Sequence, residues 1–192
     1  MTSLPNCFVF MKVGDHAGES WKSILERKNR EYRDAGMIFW GYGGGPCHPI
    51  KQVQPFAGFS TRKQGEVILA MEPINSKVAP DVVPATEYST QYSEDGVHWK
   101  PIPNGISVTG SRYAFVLDEI KPCELELRLD EYEVGWGKSK GKAAESYLKW
   151  PADKACLIRI KKSRLSHVPR ESIIRRIGYT ATLREPFAVL LR

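Results

Sequence analysis

The sequence predicts an α+β protein: a bent antiparallel or mixed sheet, with a partly closed barrel as one form it can take, and about three short helices. Three observations lead there. About ten short apolar or alternating runs are punctuated by Gly, Pro and Asp-Gly turns. Few stretches carry helical periodicity, and strands and helices do not alternate in a regular βαβ order. The 192 residues, 42% hydrophobic and 26% charged, are enough to bury roughly 70% of the unfolded surface, so residues 1–192 read as a single domain.

The first apolar run, Phe8 to Val13, fits a buried strand by its length and its aromatic and β-branched content, and Gly14 ends it. From Ser20 the spacing changes. Trp21, Ile24, Leu25 and Tyr32 share one helical face, and Gly36 stands where a left-handed cap is expected. Glu26, Glu31 and Asp34 nearly cancel the basic residues of this helix, so it reads as packed on a sheet rather than as a recognition helix.

Met37 to Trp40 reads as a strand entering a glycine loop. Trp40, Tyr42, Gly43, Gly44 and Gly45 form a candidate ligand loop, because clustered glycines permit a sharp turn or a close approach of backbone to ligand. Pro46 to Pro49 argue against a helix immediately afterwards, and the loop matches no dinucleotide or P-loop fingerprint. Phe56 to Ser60 and Glu66 to Met71 read as strands, followed by a long connection marked by Pro73, Pro80 and Pro84.

Tyr88 to Tyr92 and Val97 to Ile102, joined through Glu94-Asp95-Gly96, spell a β-hairpin with Trp99 expected on the core. The string Ser93-Glu94-Asp95-Gly96-Val97-His98-Trp99 resembles the Ser-x-Asp-Gly-x-x-Trp hairpins of several β-sandwich carbohydrate-binding domains; the resemblance implies a hairpin and no sugar-binding function. The strand, helix, aromatic-strand opening resembles small RNA- and modified-base-binding barrels of the PUA type, and no site residue is assigned from it.

Ile106 to Val108, Tyr113 to Leu117 and Glu124 to Leu129 continue as strands. The last alternates Leu125, Leu127 and Leu129 inward with Glu124, Glu126 and Arg128 outward. Gly135 to Lys142 then interleaves lysines with glycine and serine, and a helix is expected over Ala143 to Lys149. Cys156 to Ile160 reads as a strand. A short helix is expected from Pro169, with Ile173, Ile174 and Ile177 on its apolar face and Gly178 closing it. Strands Tyr179 to Leu183 and Phe187 to Leu191 finish the chain.

Charge is divided unevenly along this order. The formal net charge is +6, but residues 1–137 hold 14 Lys+Arg against 18 Asp+Glu, whereas residues 138–192 hold 14 against 4. A basic C-terminal third, 138–192, is shaped to meet phosphate. The expected function is therefore a nucleic-acid-binding module, RNA or DNA. Lys138, Lys140, Lys142, Lys149, Lys161, Lys162, Arg164, Arg175 and Arg176 would contact phosphates, with stacking on Trp136 or Trp150. The alternative is a protein-interaction or inhibitory module docking by charge complementarity on a partner such as a nucleic-acid enzyme.

A second alternative is a Cys-dependent or nucleotide-processing enzyme built on the Gly41–His48 loop. Its candidates are Cys47, for which an exposed and activated thiol is the expectation, and His48. Cys7, Cys123 and Cys156 sit in apolar runs and read as small core residues. The sequence leans away from an enzyme: it carries no paired-carboxylate site, no nucleophile motif, no cofactor fingerprint and no metal-ligand spacing. No apolar run reaches the about 20 residues of a membrane-spanning helix, and the start lacks a secretory pattern, so a cytoplasmic location without membrane partners is expected.

Overall fold

The computed structural model describes residues 3–16, 18–74, 87–149, 152–160 and 173–192. Its centre is β1 (Cys7–Val13), where alternate side chains enter two different cores. Val9 and Met11 join one cluster with Phe56 and Phe115, while Phe8 and Phe10 join another with Leu127 and Leu129. Period-two alternation with both faces covered explains why this strand reads as an unbroken apolar run.

Helix α1 (Trp21–Ala35) begins where Ser20 Oγ accepts the Ser23 N–H at 3.2 Å and ends at Gly36, whose φ of 70° needs no Cβ. Its face packs Ile24, Trp21, Leu25 and Tyr32 on the first core, as expected, and Trp21 meets Trp40 and Tyr179 edge-on. Glu31 does not reach solvent. It is buried with Lys28 beneath β2 (Ile38–Tyr42). Trp40 and Tyr42 accordingly belong to a buried strand, 6% and 4% exposed, and not to the glycine loop in which they were grouped.

The expected Phe56–Ser60 strand is a helix. Pro49 opens a π-helical turn, Pro49–Val53, in a first-turn position where its missing N–H costs nothing. Helix α2 (Gln54–Gln64) follows directly, burying Phe56, Ala57 and Ser60. Pro49 starts helical structure rather than forbidding it, and Pro46 lies in the turn before it.

Among the described residues ten strands form one mixed sheet. The remaining members are β3 (Ile68–Pro73), β4 (Gln91–Ser93), β5 (Lys100–Pro101), β6 (Tyr113–Leu117), β7 (Lys121–Arg128), β8 (Tyr132–Val134), β9 (Lys154–Arg159) and β10 (Ile174–Leu191). The main path runs β2-β6-β10-β3-β1-β9-β8, with β7 and β4 also paired to β10 and β5 to β4. Only β1 and β3 pair in parallel among the described ladders. The sheet does not close into a barrel, and the 3-10 turn Leu129–Glu131 links β7 to β8.

The hairpin at Glu94-Asp95-Gly96 forms as β4 and β5, but Trp99 is half-buried under the Arg192 guanidinium, 4.1 Å from its ring centroid, instead of packing into a core. Ile106–Val108 is not a strand, although Val108 is buried. Of the helix expected from Pro169 to Gly178, Ile173 is helical, but from Ile174 onward the chain is β10, where Ile174 pairs with Arg128 and Ile177 with Leu125. The β-branched Ile174 and Ile177 favour the extended chain, and a Cβ on Gly178 would lie 2.7 Å from Pro73 Cγ, so this glycine serves a close approach and not a cap. The two final strands are one, with a register shift between Leu183 and Ala188.

Pro80, Pro84, Trp150, Lys161, Lys162, Arg164 and Pro169, singled out above, lie outside the described residues. Among the described residues no helix is long and apolar enough to cross a membrane.

Candidate phosphate-binding site

Two sequence segments, about ninety residues apart, meet beside the start of β9. The first leaves β2 at Tyr42. The Tyr42 hydroxyl donates to the Cys47 carbonyl, which pulls Gly43, Gly44 and Gly45 into an exposed turn with Gly44 at φ 84°. The His48 N–H donates to Gln52 Oε1 at 2.7 Å, and its ring lies beside Tyr113 at 5.1 Å, so the exit of the turn is held by the π-helical segment.

The second segment leaves β8. Val134 donates to the Lys142 carbonyl at 2.9 Å and Gly141 to the Val134 carbonyl at 2.8 Å, which pinches residues 135–141 into a projecting loop. Gly141, at φ 83°, turns the chain back. Helix α3 (Ala144–Tyr147) follows and is a single turn, shorter than the expected Ala143–Lys149, so it supplies no N-terminal anion site. Ala144 and Leu148 bury in the second core and hold the segment in place.

Between them lies a cavity of about 940 Å³. Gly43, Gly44 and Pro46 form one wall; Gly141, Lys142, Ser146, Tyr147 and Lys149 form another. Asp153 and Lys154 complete it. Lys142 and Lys149 are exposed, Tyr147 is half-buried and Lys154 is buried. Lys154 Nζ lies 2.6 Å from Asp153 Oδ1 and 5.9 Å from the Tyr42 ring centroid. The lining holds three ammonium groups against one carboxylate. Burial pushes the Tyr147 hydroxyl above its ordinary value, so it enters any contact as a neutral donor or acceptor.

The glycines of the first wall have different reasons to exist. Gly44 adopts a φ that L side chains avoid, but Gly43 has an ordinary φ and open space where a Cβ would stand. Neither packing nor backbone geometry requires glycine at 43, while a ligand approaching the backbone would.

The other expected site residues divide. Lys138 and Lys140 are exposed on the adjoining loop, and among the described residues neither they nor Lys142 and Lys149 join an ion pair. Trp136 is not an open stacking platform: it packs on the first core, tilted against Phe59 at 6.1 Å, with Lys140 Nζ 5.7 Å from its centroid. Arg175 is half-buried, 3.9 Å from Glu72, and Arg176 is exposed on β10.

Cys47 corrects the expectation of an exposed thiol. It is 3% exposed, at φ 61°, and its thiol, with burial, pushes the neighbouring Cys156 thiol well up. A thiol buried in the core is a poor nucleophile toward anything in the cavity. His48 is partly buried, and its desolvation, then Lys51, lowers its pKa; its Nδ1 faces the Lys51 N–H at 3.4 Å.

Sequence reasoning missed Asp153 and Lys154. A charged pair directly before the apolar run Ala155-Cys156-Leu157-Ile158 was the available signal, since a lysine at the head of a buried strand needs either a partner or a ligand. No family model, curated protein or solved structure matches the chain.

Proposed function

We propose that the protein binds nucleic acid through the surface centred on this cavity. One observation carries the reading: the fold brings the glycine turn and the lysine segment, remote in sequence, onto one concave site whose lining charge favours phosphate. Lys142 and Lys149 on its rim, with Lys138 and Lys140 on the adjoining loop, offer ammonium groups that no carboxylate neutralises among the described residues. Base stacking on Trp136 is not part of this reading; Tyr147 is the aromatic side chain the cavity presents. Uncrosslinked thiols at all four cysteines fit a reducing, cytoplasmic compartment.

Fluorescence anisotropy with labelled single-stranded RNA and DNA across a salt series tests this. Log affinity should fall linearly with log salt, with a slope of about −0.7 for each phosphate neutralised on a single strand. Lys142→Ala and Lys149→Ala should each weaken binding of all sequences and reduce that slope by about one such increment. Affinity that stays flat from low to high salt rejects the reading.

A further inference from the structure

Lys154 differs from Lys28, which is equally buried, in one respect that has chemical content. An ammonium group carries three donors. Lys28 commits all of them, to both Glu31 carboxylate oxygens and to the Phe39 carbonyl. Lys154, 4% exposed, makes a single hydrogen bond among the described residues, to Asp153 Oδ1, and a distant contact with the Tyr42 ring. Desolvating an ammonium without satisfying its donors is costly. This one lines the cavity, so the missing acceptor belongs where a ligand would sit.

The charge of the lining narrows what that acceptor is. Lys142, Lys149 and Lys154 against Asp153 leave +2. A phosphate monoester carries about −1.5 to −2 near neutral pH, whereas an internal phosphodiester carries one negative charge. Size narrows it further. A volume of about 940 Å³ is within the range of sites that enclose a small-molecule ligand, and a double helix cannot enter it far enough to reach a buried lysine.

Resting on the nucleic-acid reading above, we propose that the cavity takes a nucleotide bearing a terminal phosphate monoester, as a free nucleoside monophosphate or as the 5′-phosphorylated end of a single strand, with Lys154 as the phosphate anchor at its floor. Lys142 and Lys149 close over the phosphate from the rim, the Gly43 and Gly44 backbone allows close approach, and Tyr147 and Asp153 are placed for the nucleoside. No bond is made or broken in this proposal; it is a recognition site.

The probes are AMP, a 5′-phosphorylated hexanucleotide, the same strand without the phosphate, and a blunt duplex, measured by calorimetry or anisotropy on the full chain. Wild-type protein should bind the phosphorylated strand at least tenfold more tightly than its unphosphorylated counterpart, and AMP should compete with it. AMP that binds while neither strand does assigns the site to the free nucleotide; a strand that binds uncontested by AMP assigns it to the strand end. Lys154→Met should weaken the phosphorylated ligands at least tenfold, with urea denaturation checking that the variant folds. Where Lys154→Met does not fold, Asp153→Asn carries the test: removing the one lining carboxylate should tighten the phosphorylated strand severalfold. Equal affinity for both strands, with Lys154→Met without effect, overturns the proposal and leaves general nucleic-acid binding standing. No binding of any probe removes both.

Discussion

Lys28 Nζ lies 2.7 and 2.8 Å from the two carboxylate oxygens of Glu31, one helical turn away, and both side chains are about 95% or more buried beneath β2. Burial pulls the Lys28 ammonium down to about 8 and pushes the Glu31 carboxyl up, each against the other's charge. The pair joins α1 to the β2 backbone through Phe39 and to the incoming chain through the Ser107 N–H at 3.4 Å. Removing one partner leaves an uncompensated charge in the core. Glu31→Gln should therefore cost about 3–5 kcal/mol in urea denaturation, while the double change Lys28→Met with Glu31→Leu should cost much less. A single variant as stable as wild type would refute this account of the pair.

His48 faces the start of the π-helical turn with an unprotonated Nδ1 toward the Lys51 N–H. Desolvation, and next the Lys51 charge, hold its folded pKa below the ordinary 6.5. The unfolded chain then binds more protons in that window, so the contribution of His48 is fully present above pH 6.5 and lost as pH falls through the folded value. His48→Asn keeps a short side-chain acceptor without a titrating ring. Stability curves of wild type and His48→Asn should run parallel above neutrality and separate below it, wild type falling faster. Curves that stay parallel to pH 5 contradict the assignment.

Glycines of the cavity wall should respond differently to a methyl group. At Gly44 and Gly141 alanine should cost about 1–2 kcal/mol, because φ of 84° and 83° places Cβ against the following carbonyl. Gly43→Ala should stay within about 0.5 kcal/mol of wild type, since nothing lies within 4 Å of the new Cβ. Its effect is expected in ligand affinity, where the methyl occupies the approach to the backbone. Loss of stability without loss of affinity at Gly43 would mean the residue serves the turn alone.

Thiol reactivity should follow burial. Cys7, Cys47 and Cys156 are 2%, 3% and 4% exposed, whereas Cys123 is half-buried and its Sγ donates to the Ile177 carbonyl at 3.5 Å. Timed labelling of the native protein with a small disulfide reagent should modify Cys123 first, and more slowly than a free thiol, because burial also raises its pKa. Fast labelling of Cys47 would restore it as a nucleophile candidate.

Local signals in this chain were reliable where one residue type forces one conformation. Ser20 and Gly36 bracket α1 because a hydroxyl cap and a left-handed exit are local chemistry. Asp95-Gly96 turns the β4–β5 hairpin for the same reason, and Leu125, Leu127 and Leu129 alternate inward. Phe56 to Ser60 and Ile174 to Gly178 went the other way. Each is a short apolar run whose period fits helix or strand, and it was the neighbours that decided: the preceding helical turn for the first, the β7 ladder for the second.

The order of residues by itself determined the class of the fold, the caps and turns, and the concentration of lysine after residue 137. Which lysines matter was a tertiary decision. Lys154 is a strand residue like its neighbours until β1, the glycine turn and the Gly141 loop close around it, and Trp136 is an open indole until Phe59 covers it. Charge and periodicity are written along the chain, but desolvation depends on what lies opposite in space, and the ladder pairings that bring residues 43 and 154 onto one cavity span more than a hundred positions.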